Sequence, residues 1–200
     1  MRPIVYIVDD DADLRSALRQ LLESVGFQVK TYPDGSSFLK ACGEDCAGCV
    51  VLDMAMPDMN GYEVQAALQK HGVRLPIIFL TGFGDIPMAV KSIQAGAVDF
   101  LEKPVDTAEL LERVRQALAI DEERRQAEAR ACDIRQRYAR LSPRECEVMD
   151  LVLSGLSNKE IARKLDLSPR TVEVHRTHVM HKMGAANLAE LVSMAAHCTS

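Results

Sequence analysis

Five side chains suited to binding a cation or a phosphoryl group stand at or just after the ends of short apolar runs. They are Asp9, Asp10, Asp53, Thr81 and Lys103. Carboxylates held close together repel one another, and a hard divalent cation such as Mg²⁺ or Mn²⁺ relieves that repulsion while keeping room for a phosphate. A hydroxyl and an ammonium group can hold phosphoryl oxygens, and a carboxylate can accept a phosphoryl group as an acyl phosphate. These residue types point to metal-assisted phosphoryl transfer onto Asp53.

The apolar runs before these side chains predict a parallel sheet. They are short, rich in β-branched residues and not alternating, as in strands buried on both faces. The runs are Ile4–Val8, Cys49–Leu52, Leu75–Leu80 and Val98–Leu101. Each precedes a stretch that predicts a helix. Because the carboxyl ends of parallel strands meet at one edge of the sheet, we expect the five side chains to converge on one crevice.

Charge and motifs divide the chain into two parts. Residues 1–120 carry 11 Lys and Arg against 17 Asp and Glu, whereas residues 141–200 carry 7 of each. We predict a first domain over 1–120, a helical linker over 121–140 and a second domain over 141–200. No apolar run is long enough to span a bilayer, and no signal peptide precedes the first strand, so we expect a cytoplasmic protein with no membrane partner.

The second domain predicts a helix-turn-helix. Ser157 caps a short helix, Asp166 stands in the turn, and Ser168 caps a second helix that has Pro169 at its first position and runs to about Met183. The spacing of three and four residues predicts an inward stripe of Val172, His175, Val179 and Met183.

The outward face of the second helix has the chemistry of a major-groove reader. Val174 and the methyl group of Thr177 can meet a thymine methyl, and Glu173 can accept a hydrogen bond from a cytosine amino group. Basic neighbours can neutralise phosphates even in an acidic protein. A helix pair with a merely solvated polar face is the alternative. The predicted DNA contacts are Lys159, Arg170, Thr171, Glu173, Val174, Arg176, Thr177, His178 and Lys182.

Both halves resemble a two-component response regulator of the NarL/FixJ family. In the first half the likeness rests on Asp9-Asp10, Asp53 with Met56-Pro57 and Gly61, Thr81-Gly82 and Glu102-Lys103-Pro104. In the second half it rests on Leu141 to Glu145, Gly155 to Ala162 and Ser168 to His175, which look like the LuxR-type four-helix DNA-binding domain. The resemblance implies a flavodoxin-like (βα)5 α/β receiver domain with a five-stranded parallel sheet, followed by a small all-α helix-turn-helix domain.

The resemblance also implies a role for each residue of the crevice. Asp53 would be the phosphoacceptor. The implied metal ligands are Asp10, Asp53 and the backbone carbonyl of Ala55, with Asp9 beside them. The residues implied to bind the phosphoryl oxygens are Thr81 and Lys103, and the implied conformational switch is formed by Thr81 and Phe100. A cis Lys103–Pro104 peptide bond is implied as well, which X-Pro bonds tolerate.

The predicted function is a phosphorylation-activated DNA-binding transcription regulator with no catalysis beyond its own phosphoryl transfer and dephosphorylation. A sensor histidine kinase would phosphorylate Asp53, and residues 86–94 and 106–117 of two receivers would then pair into a homodimer that binds double-stranded promoter DNA. Two alternatives remain: an aspartyl-phosphate phosphatase, and a regulator under redox or partner control that ignores phosphorylation.

Three other patterns carry expectations. The seam Ala127, Ala131, Ile134, Tyr138 and Leu141, in a predicted helix over 106–140, could pair two subunits or lie on the chain's own receiver or effector domain. The cluster Cys42, Cys46 and Cys49 lacks a fourth metal ligand nearby, so free thiols are expected.

Ala55 and Phe83 cannot orient an attacking water through a polar side chain, which predicts a persistent acyl phosphate.

Overall fold

The computed structural model describes residues 3–43, 46–82 and 99–197. The chain divides into two compact units, Met1–Arg125 and Gln126–Ser200. The division falls within the stretch 121–140 that the sequence assigns to a linker, and the limits of the two predicted domains stay predictions.

The first unit contains a five-stranded parallel sheet. Its strands are β1 (Ile4–Val8), β2 (Gln28–Tyr32), β3 (Gly48–Asp53), β4 (Ile77–Thr81) and β5 (Asp99–Glu102). They pair in the order β2-β1-β3-β4-β5. The strand order reverses at β1 and β3, and in such sheets ligands bind beyond the carboxyl ends of the strands at this switch point. The predicted receiver fold is confirmed.

The central strands bury side chains in two cores, one on each face of the sheet. On one face Phe79 of β4 belongs to a cluster with Phe38 and Val64. On the other, Ile78 belongs to a cluster with Leu22 and Leu110. The two-sided burial explains why the sequence of these strands is continuously apolar rather than alternating.

Among the described residues of this unit, four helices lie wholly or partly within it: α1 (Ala12–Ser24), α2 (Gly35–Ala41), α3 (Gly61–Lys70) and α4 (Thr107–Tyr138). Asp11 caps α1 by accepting hydrogen bonds from the amides of Asp13 and Leu14. The long helix predicted over 106–140 is present as α4. The predicted pairing segment 86–94 and Phe83 lie outside the described residues.

After α4, the described part of the second unit, up to residue 197, contains four helices: α5 (Pro143–Leu153), α6 (Asn158–Leu165), α7 (Pro169–Met183) and α8 (Leu188–Ala195). Ser157 caps α6 and Ser168 caps α7, each through its side-chain oxygen. Between them Asp166 adopts a left-handed conformation with φ 54°, which turns the chain. The predicted helix-turn-helix is confirmed.

The linker seam packs, in part, within its own domain. Ile134 and Tyr138 pack against the buried cluster of the second unit, and Leu141 belongs to that cluster. Ala127, at the start of the seam, is exposed. The C-terminal part of the seam therefore has an intradomain partner, as one of the two sequence alternatives expected.

The cysteines of the described residues form no disulfides: Cys42, Cys46, Cys49, Cys132 and Cys146. Cys49 is fully buried in β3, and burial raises the pKa of its thiol. Within the described residues, none of the helices combines the length and apolarity that a bilayer crossing requires.

Candidate functional site

Three carboxylates meet at the carboxyl edge of the sheet. Asp9 and Asp10 follow β1, Asp53 ends β3, and one carboxylate oxygen of each lies within 4.8 Å of the other two. Asp9 is fully buried and Asp53 is 4% exposed, whereas Asp10 is exposed. The parallel pairing of β1 with β3 creates this cluster, and its open side at Asp10 gives an ion or a phosphoryl group access to it.

Lys103 brings the neutralising charge. Its Nζ lies 2.9 Å from Oδ2 of Asp9 and 3.0 Å from Oδ2 of Asp53. The chain reaches this position directly after β5, where the Lys103 amide donates to the Thr81 carbonyl at 2.8 Å and the bond to Pro104 is cis, as implied. One ammonium group thus bridges two buried carboxylates from neighbouring strands.

The surroundings in the crevice shift the pKa of both Asp53 and Lys103. Burial raises the pKa of Asp53, and the hydrogen bond and charge of Lys103 offset only part of that effect. Burial alone would lower the pKa of Lys103, but its hydrogen bonds to Asp9 and Asp53 more than reverse this, and the pKa lies above its ordinary value. Lys103 therefore stays cationic. Any further positive charge in the crevice would stabilise the ionised form of Asp53.

Two backbone contacts fix the remaining orientation of the carboxylates. Oδ1 of Asp9 accepts from the Asp11 amide at 2.8 Å, and Oδ1 of Asp53 accepts from the Ala55 amide at 3.3 Å. Each of these two carboxylates thus holds one oxygen on its own turn and directs the other at Lys103. The sequence did not predict the hydrogen bond from the Asp11 amide to Asp9. It does offer the side chain of Asp11 as a recognisable helix cap.

Gly61 allows α3 to begin against the end of β3. A Cβ added there would lie 2.9 Å from the Asp53 carbonyl oxygen and 2.9 Å from the ring of Phe79. The Gly61 amide also donates to the Met54 carbonyl at 3.1 Å. Glycine at this position therefore lets the helix approach the backbone of Asp53.

The predicted switch residues lie on the neighbouring strands. Thr81 ends β4, and its Oγ1 donates to the Gly82 carbonyl at 3.1 Å. Phe100 on β5 is half-buried, and its ring stacks on Phe79 with centroids 5.1 Å apart and planes 22° apart. Thr81 thus lies at the edge of the crevice, and Phe100 packs against the core beneath it.

In the second unit, α7 has one buried face and one exposed face, as the spacing predicts. Val172, Val179 and Met183 are buried, and His175 is half-buried. The exposed residues among the predicted DNA contacts are Lys159 on α6, and Arg170, Glu173, Val174, Thr177, His178 and Lys182 on α7; His181 is exposed as well. Thr171 is half-buried, with its hydroxyl 2.8 Å from that of Ser168 at the cap. Val174 is therefore an exposed apolar side chain set in a polar and basic face.

Arg176 and Lys182, both predicted DNA contacts, donate hydrogen bonds to side chains of other helices. Arg176 donates to Oδ1 of Asn158 at 3.0 Å, across the helix-turn-helix. Lys182 donates to Oε2 of Glu145 at 2.6 Å. Sequence reasoning did not single out Glu145, since the only local signal is its place three residues after the Ser142 cap.

Comparison with known proteins matches one family to a stretch within each unit. Residues 5–115 match the family "Response regulator receiver domain", and residues 139–195 match "Bacterial regulatory proteins, luxR family". The chain is 46% identical over 191 residues to the transcriptional regulatory protein FixJ of Bradyrhizobium diazoefficiens, covering 96% of this chain and 93% of that protein. It is 43% identical to the response regulator protein TodT of Pseudomonas putida, covering 94% of this chain and 83% of that one. The solved structure of the response regulator StyR has a TM-score of 0.90 at 42% identity, over 98% of this chain and 99% of the other.

A receiver fold with an acidic phosphoacceptor pocket, joined to a LuxR-type helix-turn-helix, defines a DNA-binding response regulator of a two-component system. The chain belongs to the NarL/FixJ family of these regulators. Members of this family are transcription factors rather than enzymes, so the phosphatase alternative is not retained. A receiver domain implies a histidine kinase as partner, and the helix-turn-helix implies DNA.

Proposed function

We propose that Asp53 accepts a phosphoryl group from a sensor histidine kinase in the cytoplasm, and that the acyl phosphate controls binding of the second domain to double-stranded promoter DNA. The observation that carries the proposal is the pairing of Lys103 with Asp9 and Asp53, at 2.9 and 3.0 Å. This pairing brings a nucleophilic carboxylate and a cation for the phosphoryl oxygens together in one accessible crevice.

In the transfer step, a carboxylate oxygen of Asp53 attacks phosphorus while the P–N bond to the kinase histidine breaks. The electron pair of that bond leaves with the imidazole, which takes up a proton. Once Asp53 is an acyl phosphate its own negative charge has moved to the phosphoryl oxygens, so Lys103 can follow that charge by a small displacement. Thr81 would donate its hydroxyl hydrogen to a second phosphoryl oxygen.

The acidic cluster fits Mg²⁺ or Mn²⁺. Three carboxylates can place oxygens within 4.8 Å of one another, and hard cations prefer such ligands. Asp10, Asp53 and the Ala55 carbonyl would hold the ion, with Asp9 adjacent. When bound, the ion would supply positive charge that offsets the repulsion between the carboxylates and the phosphoryl oxygens.

The DNA-contacting surface is assigned to α7 and the start of α6. Glu173, Val174 and Thr177 would face base edges, because they lie on the exposed side of α7. The residues assigned to phosphates and to the rim of this surface are Lys159, Arg170, Thr171, Arg176, His178 and Lys182.

Phosphorylation would act through the switch and the dimer. Moving the Thr81 hydroxyl from the Gly82 carbonyl to the phosphoryl group would change the edge of the sheet next to β5, where Phe100 stacks on Phe79. The two receivers would then pair through residues 86–94 and 106–117, which would bring two copies of α7 to half-sites about one DNA turn apart.

The test treats the full-length protein with phosphoramidate and Mg²⁺ and follows intact mass, oligomeric state and DNA affinity, with Asp53→Asn as control. One added phosphate, a dimer and tighter DNA binding, all absent in Asp53→Asn, are expected. Unchanged DNA binding and oligomeric state after full phosphorylation would overturn the proposed control. A response lost in Cys42→Ser but kept in Asp53→Asn would favour the redox alternative, although burial raises the pKa of the Cys42 thiol and so disfavours its reactive thiolate.

A further inference from the structure

Glu145 is a buried carboxylate in the DNA-binding domain, only 3% exposed. Its Oε2 accepts from the Ser142 amide at 2.7 Å, which completes the capping box at the start of α5. The same oxygen lies 2.6 Å from Nζ of Lys182, in the last turn of α7. One carboxylate therefore ties the beginning of α5 to the end of the recognition helix.

The last turn of α7 has further polar restraints. Lys182 also donates to the Arg140 carbonyl at 3.3 Å, and a guanidinium nitrogen of Arg137 donates to the Met183 carbonyl at 2.9 Å. Cationic side chains at a helix carboxyl end are favourable because they meet its unsatisfied carbonyls and the negative end of its dipole. The end of α7 is thus fixed in place by two side chains that bridge it to the segment before α5.

The carboxylate holds Lys182 strongly. A buried carboxylate without a cation is costly, so the ammonium group is retained at Glu145. The hydrogen bond from Lys182, followed by that from the Ser142 amide, lowers the pKa of Glu145 to about 2, so the carboxyl is ionised at neutral pH. The positive charge of Lys182 is therefore already balanced inside the domain.

Arg170 shows the contrasting arrangement at the other end of α7. Its side chain is 87% exposed, and the carboxylate of Glu173 lies 3.7 Å from its guanidinium group, on the same exposed face. Side chains this exposed exchange partners at little cost. Arg170 can thus turn to a phosphate, whereas the side chain of Lys182 is 37% exposed and would have to abandon a buried partner.

We propose that Lys182, together with Glu145, sets the position of α7 on DNA and does not itself neutralise a phosphate. The inference rests on the proposed function of α7 as the reader, and it changes the role of one residue assigned to the DNA surface. Base edges are read only when α7 lies close in the groove, whereas an exposed side chain such as Arg170 can still reach a phosphate, so a displaced α7 would lose base contacts while phosphate contacts remain.

The salt dependence of DNA binding separates these roles. Each protein charge that meets a phosphate releases counterions, so its removal lowers the slope of log K against log salt by about 0.9. The probe is a duplex selected by the phosphorylated full-length wild-type protein from a random-sequence pool. We expect Arg170→Ala to lower the slope by about this amount. For Lys182→Met we expect affinity about tenfold weaker, the order of one lost base contact, with the slope unchanged.

Two further variants guard against loss of the fold and test the positioning role. The double variant Glu145→Gln with Lys182→Met removes the buried pair together, which leaves no uncompensated charge; it should remain folded and bind with the slope of Lys182→Met. Lys182→Arg keeps a cation for Glu145 and should recover most of the lost affinity.

Either of two results would overturn the inference: a slope lowered by about 0.9 in Lys182→Met or in the double variant, which would mark a direct phosphate contact, or unchanged affinity in both. Unchanged affinity and slope in Arg170→Ala and Glu173→Ala would instead count against the assignment of α7 as the reader. The failure of the inference and the failure of the proposed DNA surface are therefore distinguishable.

Discussion

Nζ of Lys103 lies 3.0 Å from Oδ2 of Asp53, the carboxylate proposed to accept the phosphoryl group, and also reaches Asp9. The contact joins residues from the ends of two strands that are not neighbours, β3 and β5, across the end of β4. Because burial disfavours the charge of Asp53, the ammonium group both keeps the nucleophile ionised and marks the position of the phosphoryl oxygens.

Replacing Lys103 by Met should slow phosphorylation of Asp53 by roughly a hundredfold, the usual effect of removing one preorganised stabilising group. The reason is that the developing phosphoryl charge loses its cation. Intact mass, followed over time with phosphoramidate and Mg²⁺, measures the rate. Lys30→Met, an exposed lysine on the edge strand β2, is the matched control and should behave as the wild type. Equal rates in all three proteins would remove Lys103 from the reaction.

Asp53→Asn should raise the melting temperature by a few degrees at pH 7 without a divalent cation. Burial raises the pKa of Asp53 above its ordinary 3.8, so the folded protein binds this proton more tightly than the unfolded chain. The contribution of Asp53 to the stability of the folded state is complete below pH 3.8, and it is lost as pH rises through the higher pKa that Asp53 has in the folded protein. Thermal unfolding across pH should therefore show the two proteins converging in acid, and a constant difference at every pH would contradict this cause.

Gly61→Ala should destabilise the receiver by about 1–3 kcal/mol, the usual range for overpacking, and slow phosphorylation as well. Its new Cβ would lie 2.9 Å from the Asp53 carbonyl, so the backbone carrying the acceptor must move. Urea unfolding and the phosphorylation time course measure the two effects. Gly43→Ala is the control, because a Cβ at Gly43 meets nothing within 4 Å. A Gly61 variant as stable as the Gly43 variant would show that the close approach is not needed.

The features that could be predicted from the sequence are those with local signals. Buried runs such as that of β3 predict strands, and the caps at Ser157 and Ser168 predict helix starts within a residue. The strand β2 was missed because it lies at the sheet edge, none of its residues is fully buried, and its run includes Gln28 and Lys30. Patterns of apolarity detect a strand by its burial, and this strand is only partly covered.

Long-range polar pairs are the other features that could not be predicted. Glu145 pairs with Lys182, 37 residues away, and the amide of Gly48 donates to Asp121, 73 residues away. Each polar group looks like an ordinary surface residue in the sequence, because nothing local tells which charge the fold will bury. The crevice residues were found only because parallel strands bring their ends together by rule.

Acid should destabilise the DNA-binding domain through Glu145. Its pKa is lowered from 4.5 to about 2 in the fold, first by the hydrogen bond from Lys182. The group therefore stabilises the folded state fully above pH 4.5, and that contribution is lost as pH falls toward 2. Glu145→Gln should lack this component, so the difference between wild type and variant should shrink between pH 4.5 and 2. Urea unfolding at several pH values measures it, and parallel curves would contradict the assignment.

Ala55→Asn should shorten the lifetime of the acyl phosphate on Asp53, by roughly tenfold, the lower range for placing a polar group that aids a water molecule. The Ala55 side chain is exposed beside the acceptor, and its amide already donates to Oδ1 of Asp53 at 3.3 Å, so an amide side chain there lies within reach of an attacking water. Phosphate release after removal of the phosphodonor gives the lifetime.

Ala55→Val provides the matched apolar control, since it adds bulk at the same position without a hydrogen-bonding group. If the acyl phosphate is long-lived because residue 55 has no polar side chain, and not because of the space around it, Ala55→Val should keep the wild-type lifetime. A lifetime shortened equally by Asn and Val would mean that size or backbone disturbance controls hydrolysis. A lifetime unchanged in both would mean that water is oriented, or excluded, by another part of the crevice.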